Sequence, residues 1–198
     1  FILNFIEKDR WKLMVTGLEN TLKITIVAAL IGIVIGILLA SIRSTYDKQY
    51  ETLKKHKGFK YYVLSFLNFI AQVYLTVIRG TPVVVQLLVA FFIIFASAKN
   101  GVAIAMLAFG INSGAYVAEI FRGGIMSIDN GQFEAGYSLG FNYFQTMIFI
   151  VIPQVLKNVL PMLLNEFIAL LKETSVAGYV AVTDITRAGN VIRGTTFS

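Results

Sequence analysis

Long apolar runs alternate with short polar joints along this chain. From Ile24 to Ile42 no charged residue occurs, a run long enough to cross about 30 Å of hydrocarbon as a helix. The first predicted span is therefore 14–43. Further apolar runs cover 61–79, 82–98, 102–121 and 145–171. Residues 1–13 mix Glu7, Lys8, Asp9, Arg10 and Lys12 with Phe1, Ile2, Phe5, Ile6 and Trp11. They read as an interfacial amphipathic segment with Trp11 as its anchor. Lys99-Asn100-Gly101 reads as a tight turn, and 102–121 ends at Arg122-Gly123-Gly124. Pro153 and Pro161 interrupt 145–171 and predict kinks. Residues 172–198 are too polar for a simple span.

Composition sharpens this into an all-α integral membrane protein. Hydrophobic residues make up 57% of the 198 and charged residues 14%, with a mean hydropathy of +0.73, which no soluble core needs. One domain, 1–198, is expected. The net charge of +6 fits loop bias and lipid contact rather than nucleic-acid binding. Arg43, Lys48, Lys54, Lys55, Lys57 and Lys60 face only Asp47 and Glu51 within 43–60. By the positive-inside rule that segment is a cytoplasmic loop and the N-terminus is outside. There are no cysteines, which excludes disulfides and thiol chemistry. The single histidine, His56, sits among lysines and offers no metal site. No glycine-rich phosphate loop ending in Gly-Lys-Ser/Thr is present, so the chain itself binds no nucleotide that way. It is not expected to be an enzyme.

Gly32 and Gly36 are spaced four apart and followed by Ala40, a face of small residues that permits close helix contact. Packing within one subunit is the expectation, ahead of subunit dimerisation.

A polar, helix-capable stretch, Glu134 to Pro153, lies between two strongly apolar segments. Asp129 can cap its start, Gln132 stands where a capping-box partner belongs, and Gly140 can end the helix. The spacing predicts a short helix within about 129–142, unless the stretch is simply an ordered surface loop. Glu134-Ala135-Gly136, three residues, Gly140, nine residues, Ile150, one residue, Ile152-Pro153 resembles the EAA signature of ABC importer permeases, with Gly136 in place of Ala and Ile152 in place of Leu. Arg79-Gly80-Thr81-Pro82, residues 111–125 and residues 165–176 are similar to blocks of the polar amino acid permeases of the histidine, arginine and glutamine type. The four blocks run in the family's order from about Arg79 to Arg187, whereas residues 1–60 match only in general character.

The resemblance implies a type I importer permease fold with four core spans, an interfacial helical segment and a last family helix missing from this sequence. It implies a multi-pass subunit of a prokaryotic inner membrane, with the EAA loop cytoplasmic. Gln132, Glu134, Ala135, Gly136, Leu139 and Gly140 would form the coupling helix that docks on separate ABC ATPase subunits. Those partners would carry the ATP-Mg; the permease would need no cofactor or metal of its own. An extracytoplasmic amino-acid-binding protein and a second permease subunit, identical or paralogous, complete the implied assembly. A cytoplasmic EAA loop also bears on 61–79. Were it a full span, the loop after Arg122 would lie outside, so 61–79 is expected along the interface or as the slanted start of the next helix.

Polar side chains at membrane depth mark candidate pathways. Asn112, Tyr116 and Glu119 are spaced four and three, on one helix face beside Ser113. Gln154, Asn158, Pro161 and Asn165 form a second stripe, with Glu166 adjacent. Asn112, Ser113, Tyr116, Glu119, Asn165 and Glu166 are the substrate-binding candidates; the acids suit an ammonium or guanidinium. The alternatives are helix-to-helix hydrogen bonds and, for Glu119, pairing with Arg122. The expected function is an ATP-driven importer permease for polar amino acids, basic ones included. A stand-alone channel or secondary transporter is the competing reading.

Overall fold

The computed structural model describes residue 6 and residues 9–55, 58–180 and 182–196. Most of the expected interfacial segment 1–13, and His56, lie outside the described residues. Among those described there is no β-strand, as expected where hydrocarbon leaves the backbone no partner but its own helix.

Eight α-helices follow in order among the described residues. They are α1 (Arg10–Lys55), α2 (Phe59–Gly80), α3 (Val83–Val89), α4 (Gly101–Met126), α5 (Asn130–Ser138), α6 (Tyr143–Thr146), α7 (Ile152–Glu173) and α8 (Ile185–Thr196). A π-helical turn, Ala90–Ile94, extends α3, and a second, Met147–Val151, joins α6 to α7. A 3-10 turn, Thr174–Val180, follows α7. Among the described residues four stretches are long and apolar enough to cross a membrane: Arg10–Lys48, Phe59–Gly80, Gly101–Met126 and Tyr143–Val180. Val83–Ile94 is apolar but shorter.

Several boundaries differ from expectation: α1 starts at Arg10 rather than residue 14, and the run 82–98 is helical only from Val83 to Ile94. The basic segment 43–60, expected to be a loop, is helical through Lys55. The positive-inside rule locates charge and does not end helices, and no glycine or proline intervenes before Gly58. Likewise α4 does not stop at Arg122-Gly123-Gly124 but runs to Met126. Gly124 is there for close packing: a Cβ on it would lie 2.3 Å from Val159 Cγ1. The break at 80–82 is where expected, with α2 ending at Gly80 and Pro82 preceding α3 in extended backbone.

The chain divides into two compact units. The first comprises Phe1–Gly32, Thr81–Ser113 and Phe167–Ser198; the second comprises Ile33–Gly80 and Gly114–Glu166. The first unit's core gathers Ile24, Ala28, Leu87, Ala105, Phe109 and Leu170. Its polar tail is tied down locally. Asp184, fully buried, accepts the backbone N–H of Thr186 at 3.1 Å and of Arg187 at 3.0 Å, capping α8. Arg187 Nη1 donates to the Gly178 carbonyl at 2.6 Å.

The second unit holds two clusters. Leu75, Ala115 and Ala118 form one; Ile125, Ile128, Phe133, Val151, Val155 and Val159 form the other. Gly36 is the small residue that matters here. A Cβ on it would meet Val117 Cγ1 at 2.4 Å, so it serves packing within the subunit. Elsewhere α1 displays Leu30, Val34 and Leu38, each about 60% exposed, a lipid-compatible stripe spaced by four.

Candidate functional site

The segment after α4 is built as a rigid corner. Asp129 Oδ1 accepts the Gly131 N–H at 2.6 Å and starts α5. Gln132 does not return the favour as a capping-box partner. Its Oε1 instead accepts from Gln154 Nε2 at 3.1 Å, fixing α5 to α7. At the other end Gly140 takes φ +81°, which a Cβ would disfavour. Its N–H donates to Tyr137 O at 2.9 Å, and that of Phe141 to Gly136 O at 3.0 Å. This double closure is a Schellman motif. The capping box lies one element later: Asn142 Oδ1 accepts from Gln145 N–H and Gln145 Oε1 accepts from Asn142 N–H, both at 2.9 Å.

The inner face of α5 is anchored by Phe133, which stacks on Tyr143 with centroids 6.3 Å apart. Lys48, on the unexpected extension of α1, reaches α5 as well. Its Nζ lies 4.8 Å over the Phe133 ring and donates to Asn130 Oδ1 at 2.7 Å. Gly136, expected on the docking surface, is buried against Thr146. Gln132, Glu134, Ala135, Leu139 and Gly140 are exposed, and Leu139 is 71% accessible. A doubly capped helix thus offers an acid and a bare leucine to its surroundings.

The membrane-depth candidates sort differently from their sequence stripes. In the first unit Asn112, 3% exposed, donates through Nδ2 to Gln86 Oε1 at 3.0 Å. Gln86 Nε2 donates in turn to Thr81 Oγ1 at 2.8 Å and Thr81 O at 3.1 Å. Ser113 is buried beside Asn112. In the second unit Arg79 lies over the Tyr116 ring, 5.7 Å from its centroid. Glu119 Oε2 accepts from Arg122 Nε at 3.3 Å and Nη2 at 3.2 Å, while Arg122 Nη1 donates to Asp47 at 3.1 Å. Glu119 is therefore one arm of a three-member ion cluster centred on Arg122, the pairing alternative.

The second stripe also parts company. Gln154 is used on Gln132, and Asn158 Nδ2 donates to Ser127 Oγ at 3.4 Å. Both hold the corner around α5 instead of lining a cleft. Asn165 is exposed and Glu166 half-buried. Gln86 was missed by sequence reasoning, although an amide within the apolar run 82–98 was signal enough.

The sequence profile of the binding-protein-dependent transport system inner membrane component family matches residues 57–197. The chain belongs to this family. Among similar proteins, the glutamine transport system permease protein GlnP of Escherichia coli is 36% identical over 185 residues, covering 91% of this permease and 76% of GlnP. The arginine transport system permease protein ArtQ of Bacillus subtilis is 36% identical over 174 residues, 86% of this chain and 72% of ArtQ. A crystal structure of an amino acid ABC transporter with histidines superposes with a TM-score of 0.78 at 35% identity, covering 94% of this permease and 80% of that chain. Its fold is thus that of an ABC importer permease.

Proposed function

We propose that this permease is the membrane subunit of an ATP-driven importer of polar amino acids. Its relatives named for glutamine and arginine transport support the substrate class. One observation carries the ATPase coupling: α5 is held rigid at both ends while Glu134 and Leu139 stay exposed. A separate ATPase docks on that face, with α5 and its flanks on the cytoplasmic side. Closure of the ATPases pushes α5 as a rigid body and alternates the accessibility of the pathway. Asn112, Ser113, Tyr116, Asn165 and Glu166 contact the substrate along its route, and Glu119 sets the charge beside it. An extracytoplasmic binding protein delivers the amino acid, and a second permease subunit completes the pair. A channel or secondary transporter is not favoured, because neither has use for a docking helix.

The test exploits a chain without cysteine. Leu139→Cys, treated with a bifunctional cross-linker in native membranes, should join the permease to a protein carrying a phosphate loop. Glu134→Lys should abolish coupled uptake while the subunit still inserts. Coupled uptake at the wild-type rate in Glu134→Lys, with no cross-linked ATPase, would remove the docking role.

A further inference from the structure

The helix α2 carries a polar stripe of its own. Asn68, Gln72, Thr76 and Arg79 recur at spacings of four, four and three, one face of the helix. The other face shows Phe66, Phe69, Val73 and Val77 to the outside. Gln72, Thr76 and Arg79 line a cleft in the second unit together with Arg43 of α1 and Glu119 of α4.

That cleft holds two guanidinium groups and lacks a matching anion. Arg43 Nε is buried without a hydrogen-bond partner, and Nη1 makes only a long 3.5 Å contact with Asn68 Oδ1. Arg79 rests on the face of Tyr116. Among the described residues neither arginine is in an ion pair. Glu119, the acid lining the cleft, is committed to Arg122. Cations on a helix apolar enough to cross a membrane call for a counter-charge. A guanidinium offers a planar fork of N–H donors that fits a carboxylate with two parallel hydrogen bonds. Beside Arg79, Gly80 leaves the approach open: a Cβ there would meet nothing within 4 Å.

We propose that the Arg43–Arg79 cleft takes the α-carboxylate of the transported amino acid, with Arg79 as the residue that reads it. This rests on the amino-acid reading above. Tyr116 then has a defined part: its ring holds the Arg79 guanidinium in place through a cation–π contact.

The experiment uses the purified permease–ATPase complex in nanodiscs of zwitterionic lipid. Binding of L-arginine and L-glutamine is measured alongside their decarboxylated amines, agmatine and 4-aminobutanamide. Arg79→Gln should weaken binding of the amino acid by about ten-fold or more, as loss of a charge-assisted pair does, and change binding of its amine by less than about two-fold. Arg79→Lys should recover part of the loss. Equal effects on amino acid and amine, or none on either, overturn the proposal. Repetition with phosphatidylglycerol separates the other oxyanion source. If that lipid abolishes amino-acid binding to the wild type but not to Arg79→Gln, the cleft belongs to a lipid phosphate and the carboxylate assignment falls. A wild type that binds neither amino acid overturns the amino-acid reading and this proposal with it. A wild type that binds, matched by Arg79→Gln, overturns the proposal alone.

Discussion

A Cβ placed on Gly136 would lie 2.6 Å from both Oγ1 and Cγ2 of Thr146. Real side chains do not approach that closely, and both partners are buried. Gly136→Ala should therefore cost about 1–3 kcal/mol through overpacking and lower the melting temperature of the purified permease. Adding Thr146→Ala should return much of the loss by clearing the space. Strictly additive losses in the double variant would show that this contact is not the cause.

The Asp129 cap predicts a local effect. Asp129→Ala removes the acceptor for the Gly131 N–H and should destabilise α5 by about 1 kcal/mol. Hydrogen exchange should quicken in peptides covering 130–138, with α6 unchanged because Asn142 and Gln145 cap it independently. Uniform quickening across both helices would contradict two separate caps.

Arg122 bridges Glu119 and Asp47 with every side chain about one-quarter exposed. Replacing it by Met leaves two acids close together, so Arg122→Met should destabilise more than Asp47→Asn. The expected gap is about 1 kcal/mol, because partial exposure screens the charges. Thermal unfolding of the two variants decides it, and the reverse order would mean that the ion cluster adds nothing.

Gln86→Leu strands the buried Asn112 Nδ2 and should cost about 1 kcal/mol. The Gln86→Leu/Asn112→Leu pair should cost less than the sum of its singles, since no amide is then left alone. Unfolding of the four proteins of this cycle measures the coupling; a coupling energy of zero would dissolve the Thr81–Gln86–Asn112 chain as an energetic unit.

Much of the corner around α5 is legible in the sequence. Asp129 and Gly140 bounded α5 because capping and positive φ are local chemistry, set by the residue itself. The break at Gly80–Pro82 was legible for the same reason. What escaped was long-range. Gln132 fits a local capping box, yet Gln154, 22 positions away, takes its side chain. Gly123-Gly124 looks like a terminus until Val159 is seen against Gly124. A helical stripe says which side chains share a face, and is silent on what that face meets. So Gln154 and Asn158 resembled pathway residues while they hold α5, and Asn68, Gln72 and Arg79 on α2 read as a partly wet segment without showing what that face meets.

The π-helical turn at Met147–Val151 sets the phase of everything after it. A π turn inserts one extra residue into the helical count, and one residue is about 100° of rotation at 3.6 per turn. Val155, Val159, Gln154 and Asn158 all follow that step, on the sides where the clusters and α5 need them. Deleting a single residue from Met147–Val151 would change almost nothing in composition. It would swing α7 round its own axis, turning the valines toward lipid and the amides away from their partners. Which face of α7 is buried is thus decided by timing along the chain as much as by the residues it carries.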